Sequence, residues 1–338
     1  MPSERLLLSL GSDVRYFEPV MLHFRGFTSG CVRPGPCARS ALRTARLVLD
    51  GARRVVLVGT VVALVPLHSR CSRARVESMT VMNEGVALAR RKNFPEAIEK
   101  LSEAKAKDPR NFDALFNLAQ VHLEMGNLEA AKAALEEGAQ AQGDDPRVHE
   151  KLGTVLLELG RFEAAIPVFQ RALTLDAQQP RAHYKLAQAF TEVGKDQDAL
   201  EALTQAAKTG KRFLPAFLLL GQKYHAFGFS DHALRVYDSG LAAAVAGSEE
   251  AATLHYLKGN VYRDGHQNGQ ALAAYDQALE LVPTMANALF SKGWLLADME
   301  RGQEAITALE AFLKYKGQSP PHYVSAASER LSRLSASL

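Results

Sequence analysis

The sequence predicts an all-α fold: a solenoid of helix–turn–helix units closed at its C-terminal end by one further helix. Three observations predict it. A small residue recurs every 34 positions as Gly85, Ala119, Gly153, Ala187 and Gly221, and after one step of 38 as Gly259 and Gly293. A second small residue recurs as Ala97, Ala131, Ala165, Ala199, Ala233, Ala271 and Ala305. Four positions after each stands a bulky one: Leu101, Leu135, Phe169, Leu203, Tyr237, Tyr275 and Leu309. Between the two patterns a glycine returns at Gly126, Gly160, Gly194 and Gly228. Spacings of three and four put such residues on one helix face, so each unit reads as two short amphipathic helices around a turn. Neither helix buries its stripe alone. The units must stack, and their core is a continuous seam rather than a ball.

In chain order, residues 1–45 show no sustained period and are rich in Arg, Ser, Gly and Pro, the composition of a disordered segment. No Lys precedes Lys92, which suits a start that lies downstream of Met1; a transit peptide is the functional competitor. Residues 46–71 read as an export signal or membrane anchor. Arg53 and Arg54 precede the apolar run 55–67, which is shorter than the ~20 residues that span a bilayer but fits the core of an export signal. Cys71 follows four residues later. Residues 72–77 read as a charged tether and 78–318 as seven repeat units. Asp144 and Asp145 before Pro146 mark a helix start, as does Pro180, because proline loses no bond in a first turn. The four extra residues between units five and six predict a lengthened second helix ended by Gly247, with Ser248 capping the next. Ser319-Pro320-Pro321 breaks the array. Residues 319–338 then read as a capping helix with Tyr323, Ala327, Leu331 and Leu334 on one stripe.

Charge divides along the same line. Residues 1–75 carry +8 and residues 76–338 carry −5, for a net +3. A mildly acidic array does not suit nucleic acid, which needs clustered cations. All three Cys precede the array, without CxxC spacing. No glycine-rich phosphate loop, HExxH or GxSxG occurs, so the sequence names no catalytic, cofactor or metal site. His149, His183 and His255 recur at one repeat position. They read either as a pH- or metal-responsive ladder or, the favoured reading, as partly buried rings at a helix interface.

The 34-residue period with these small and large positions resembles the tetratricopeptide repeat family. The family's first-helix Trp is missing, with His149, His183 and His255 in its place, and its helix-ending Pro is kept only at Pro109 and Pro283. The resemblance implies a right-handed superhelix with a concave groove that holds a partner's peptide or helix. It also implies a first-repeat carboxylate clamp of Lys and Asn for chaperone tails. Met82 and Val86 occupy those places, which argues against that partner.

At 100° per residue, the core face of each first helix fixes which residues point into the groove. One row is Met82, Phe116, Glu150, Tyr184, Leu218, Tyr256 and Phe290; the next is Val86, Gln120, Thr154, Gln188, Gln222, Asn260 and Trp294. Rings offer buried anchors, and side-chain amides pair with an extended backbone. The other reading is that the large residues pack on the neighbouring hairpin and the amides face water. Arg147, Lys151, Arg181 and Lys185 form a basic strip that either meets an acidic motif or pairs with Glu150, Glu158 and Glu192.

The sequence therefore predicts a non-enzymatic interaction scaffold of a cell envelope, tethered through its N-terminus with Cys71 as the lipidation candidate. Its alternatives are a cytoplasmic or organellar adaptor and, less favoured, the recognition arm of an enzyme.

Overall fold

The computed structural model describes the backbone of residues 58–317 and 319–337 and the side chains of 73–317 and 319–336. The chain divides into two units, Met1–Val65 and Pro66–Leu338. The expectations for residues 1–45 lie outside the described residues, as do residues 46–57 of the export segment and the side chains of all of it, that of Cys71 included.

Fifteen helices and no strand occur among the described residues. α1 is Val58–Arg90 and α2 Phe94–Lys107, followed by α3 Phe112–Glu124, α4 Leu128–Ala141, α5 Pro146–Glu158 and α6 Phe162–Leu175. Then come α7 Pro180–Glu192, α8 Asp196–Thr209, α9 Leu214–Ala226, α10 Ser230–Ala243 and α11 Glu249–Asp264. The last are α12 Asn268–Leu281, α13 Ala286–Asp298, α14 Gly302–Tyr315 and α15 Pro321–Ser337. Each odd-numbered helix from α3 to α13 pairs with the one after it, α1 meets α2 through Gly85 against Leu101 and Ser78 against Ala104, giving seven hairpins among the described residues, and α15 packs on α14. The residues from Ser72 to Glu77, expected as a tether, lie within α1. No described helix is long and apolar enough to cross a membrane.

Each hairpin closes on the small–large pattern. The seven small residues of the second helices are all fully buried, and so are the bulky residues four positions on. The bulky side chain lies against the backbone of its partner helix where that helix has Gly or Ala. A Cβ added at Gly153 would stand 2.7 Å from the Phe169 ring, at Gly221 2.2 Å from Tyr237 and at Gly259 2.4 Å from Tyr275. In the two hairpins that carry Ala119 and Ala187, the opposing residue is Leu135 or Leu203 rather than a ring. A ring thus occurs only opposite glycine, while Leu stands opposite Ala119 and Ala187 and also opposite Gly85 and Gly293. Burial of each such residue stabilises by about 1.5–3 kcal/mol.

A third small position lets the next unit approach. Ala104, Ala172, Ala206 and Ala278 are fully buried there, and Gly138 and Gly240 take the same place. A Cβ at Gly240 would already lie 3.1 Å from Phe217 and 3.2 Å from Leu254 of the following unit. The last hairpin has Phe312 instead, whose ring meets Phe290 edge-on at 5.2 Å. At the other end, buried Ser78 donates to the Ala104 carbonyl at 2.7 Å and accepts from Asn111 Nδ2 at 2.8 Å. Asn111 in turn caps α3 by accepting from the Ala114 amide. One polar clip therefore joins three helices with its donors and acceptors satisfied.

All seven hairpins turn the same way. In each, the first helix ends in a left-handed residue, and the next amide donates five residues back, as Arg161 does to Leu156 at 2.8 Å. Gly126, Gly160, Gly194 and Gly228 hold that conformation without strain, but the first, sixth and seventh turns use Lys92, His266 and Glu300, with φ between 56° and 60°. A side chain there costs on the order of 1 kcal/mol.

The expected caps hold at Asp145, which accepts from the Arg147 amide at 2.9 Å, and at Ser248, which accepts from Ala251 at 3.2 Å. The expected lengthening of the fifth second helix is corrected. α10 has the same 14 residues as the other second helices, whereas α11 has 16 against 13 in its counterparts α3, α5, α7, α9 and α13. Ala244 is already extended, so the helix ends there. Gly247, at φ 79°, turns the loop instead of ending α10. The insertion is thus spent on the loop and on the start of α11, where Glu249 and Glu250 extend a favourable N-terminus.

Replacing Gly221 by Ala should destabilise the array by about 1–3 kcal/mol through overpacking on Tyr237. Combining it with Tyr237→Leu should yield a protein at least about 1 kcal/mol more stable than the two single effects sum to. Denaturant unfolding followed by circular dichroism measures this cycle, and additivity would refute the interlock. Glu300→Gly should stabilise by about 1 kcal/mol in the same assay.

Candidate peptide-binding face

The inner side of the curve follows from which helices touch. Successive first helices pack on one another, α5 with α7, α7 with α9, α9 with α11, α11 with α13 and α13 with α15. No comparable contact joins successive second helices among the described residues. The first helices therefore line the shorter, inner arc, and the two rows read from the sequence lie on them.

The first row is half-buried apart from Met82, and its side chains pack within their own hairpin or on the next unit. Phe116 packs on Phe112 at 5.7 Å, and the Arg147 guanidinium covers both rings. Tyr184 meets the edge of Phe213 at 5.5 Å, and Tyr256 lies 6.1 Å from Tyr275. Leu218 packs on the cluster around Tyr237 and Leu254. Phe290 stacks on Trp294 at 5.4 Å and meets the edge of Tyr323 of α15 at 4.9 Å. Arg330 of the same helix lies 5.0 Å from the Trp294 ring centre and pairs with Asp298 at 2.6 Å. The array's own last helix thus covers the C-terminal end of both rows. Met82 is buried in the first hairpin.

The second row divides by occupation. Asn260 accepts from the Tyr275 hydroxyl at 2.8 Å, and the Thr154 hydroxyl donates back to the Glu150 carbonyl at 2.9 Å. Gln120 and Gln188 are half-buried and Gln222 is exposed; no internal partner holds their amides among the described residues. What the face offers a ligand is therefore concentrated between α3 and α11: three free amides flanked by the outer edges of Phe116, Tyr184, Leu218 and Tyr256.

Of the basic strip, Arg147 is engaged with Asp145 rather than with Glu150 or Glu158. Its guanidinium donates to both carboxylate oxygens, at 2.7 Å from Nη2 and 3.1 Å from Nε. That bond holds the buried Asp145 carboxyl below its usual range, against the opposing effect of burial. Lys151, Arg181 and Lys185 have no acidic partner among the described residues. Along the other bank, α3, α5 and α7 each end on an exposed glutamate, Glu124, Glu158 and Glu192, without a partner among the described residues. Carboxylates at helix C-termini oppose the dipole, so local helix stability does not explain them. The 34-residue recurrence of acids was their signal in the sequence. The face is thus cationic at the helix starts and anionic at the helix ends.

The recurring histidines act locally. Nε2 of His149 lies 3.0 Å from the Gly143 carbonyl and Nε2 of His183 3.1 Å from that of Ala177, so each ring ties its helix to the preceding loop. Burial lowers the pKa of His183 and His255, favouring neutral rings. No group of residues suited to a metal ion occurs among the described residues.

Tetratricopeptide repeat models match residues 88–153 and 256–323, and a TPR repeat model matches 153–194. No curated protein matches the chain in sequence. Among solved structures, the C-terminal part of a TPR repeat-containing protein from Cytophaga hutchinsonii superposes with a TM-score of 0.60 at 16% identity, over 72% of this chain and 98% of that one. A tetratricopeptide repeat protein from Parabacteroides merdae gives 0.51 at 15%, over 76% and 98%. PilF of Pseudomonas aeruginosa gives 0.51 at 19%, over 63% and 96%. At these identities the likeness is one of fold. With the matched models together spanning more than half of the residues, the hairpins, their turns and their small–large register make this chain a member of the tetratricopeptide repeat family.

Proposed function

We propose that the protein is a non-enzymatic scaffold whose inner face holds an extended or helical segment of a partner protein. The observation that carries this reading is the run of unengaged amides, Gln120, Gln188 and Gln222, between rings whose inner edges are already fixed by packing. Rings held in place lose little freedom on binding, and free amides present a donor and an acceptor to a peptide backbone. The acidic and basic banks add orientation, since a segment with opposite charges on its two sides binds in one sense only. The sequence supplies no nucleophile–base constellation, and the charge of the array does not favour nucleic acid.

The proposed setting is a cell envelope, with the N-terminal segment as export signal and Cys71 as the acylated residue. Cleavage before Cys71 would leave Cys71 to Arg90 to form the first helix of the array. The same scaffold without an anchor, in the cytoplasm or an organelle, is the alternative reading.

The double substitution Tyr184→Ala with Tyr256→Ala should cut recovery of cross-linked partners in a pull-down at least severalfold while the helical circular-dichroism signal and its melting remain cooperative. Undiminished recovery would count against the groove. Metabolic palmitate labelling with fractionation tests the anchor: label and membrane association should both vanish in Cys71→Ala. Label that survives the substitution, or a wholly soluble wild type, removes the lipoprotein reading.

A further inference from the structure

The four-residue insertion does more than interrupt the period. α11 starts early, and its added turn has no counterpart on the neighbouring first helices. Between that turn, Gln222 of α9 and the loop before α13 lies a cleft of about 540 Å³, inside the ~300–1,000 Å³ range of clefts that hold small ligands. Because Gln222 and Tyr256 line it, the cleft opens on the inner face. Its walls include the half-buried apolar side chains of Leu257, Val282 and Met285. Among its lining residues Glu249 alone carries a charge, and no ion pair within the described residues neutralises it.

We propose that this cleft is a specificity pocket for a lysine or arginine side chain of the bound segment, an inference that rests on the scaffold reading above. A long aliphatic stem matches Leu257, Val282 and Met285. An ammonium or guanidinium at its end reaches the exposed Glu249 carboxylate, which has no ion-pair partner among the described residues, while the stem stays on the apolar wall. An acidic side chain meets Glu249 with like charge, and a purely apolar one leaves that carboxylate unanswered. Gln222 and the exposed Asn287 stand at the same cleft with amides for the backbone of the segment. The phase slip thus gives an otherwise periodic face one place that distinguishes positions along a ligand.

Glu249 also benefits the start of α11 through the helix dipole, so the test must separate the two roles. Glu250 supplies the control: it lies in the same first turn and outside the cleft. The probe is a set of fluorescein-labelled nine-residue peptide libraries with one fixed central Arg, Lys, Leu or Glu in a randomised neutral background. Each is titrated by fluorescence anisotropy with the full chain. The Arg and Lys libraries should bind at least tenfold more tightly than the Glu library. Glu249→Gln should reduce that advantage at least fivefold and leave the Leu library unchanged, while Glu250→Gln should leave all four unchanged. Tyr184→Ala should weaken every library alike and preserve their order. Libraries that bind and respond to Tyr184→Ala but show no preference for a cation overturn the inference and leave the scaffold standing. Equal loss of the preference in Glu249→Gln and Glu250→Gln overturns it as well, by assigning the effect to overall charge. Absence of binding by any library overturns both readings.

Discussion

Everything in this array depends on one steric exchange: a large side chain of the second helix occupies space that the first helix vacates by carrying Gly or Ala. The exchange sets the distance between paired helices and fixes their rotation, because only one face of the first helix is bare. That rotation in turn decides which residues look inward. The inner rows of rings and amides are thus set by packing on the adjoining face: they stand three residues before and one residue after each small position of the same helix. The close approaches at Gly153, Gly221 and Gly259 show how little latitude the exchange leaves.

The hairpins and their register were legible in the sequence because the small–large pattern recurs through the array, at steps of 34 with a single step of 38. Steric rules act locally, so a period of 34 carries the geometry almost completely. What is stated once was harder to read. The four-residue insertion gave its place but not its distribution; an alanine-rich run continues a helix on propensity alone, yet α10 ends at Ala243 like its counterparts because the next unit must still dock. Likewise, the sequence offered Arg147 an outside acidic motif or Glu150, Glu158 and Glu192 as partners, whereas it pairs with Asp145 two residues away, a spacing that does not face across a helix but does work at a cap. The left-handed turns at Lys92, His266 and Glu300 could be inferred only from register, since their side chains argue against that backbone.

On the inner face, position in the repeat predicted where a side chain points but not whether it is free. Asn260 and Gln222 occupy equivalent places. The first is engaged by Tyr275; the second is exposed, and the buried hydroxyl of Tyr237 in its hairpin has no partner among the described residues and is pushed above the ordinary phenol range by burial. The difference cannot be read from the row. Phe290 and Trp294 look like the richest anchors in the sequence, yet α15 already covers them. A terminal helix that shields the last unit from water does so with the same surface a ligand would use.

The seam itself is not uniform. One apolar cluster runs from Met82 to Leu220, a second gathers Tyr237, Leu254 and Val261, and two more hold the final units. In a linear stack stiffness is inherited from neighbour to neighbour, so such a division makes the molecule a spring of unequal coils. Its pitch would yield first at the boundaries between those clusters, letting the inner arc widen or tighten about a guest of different girth.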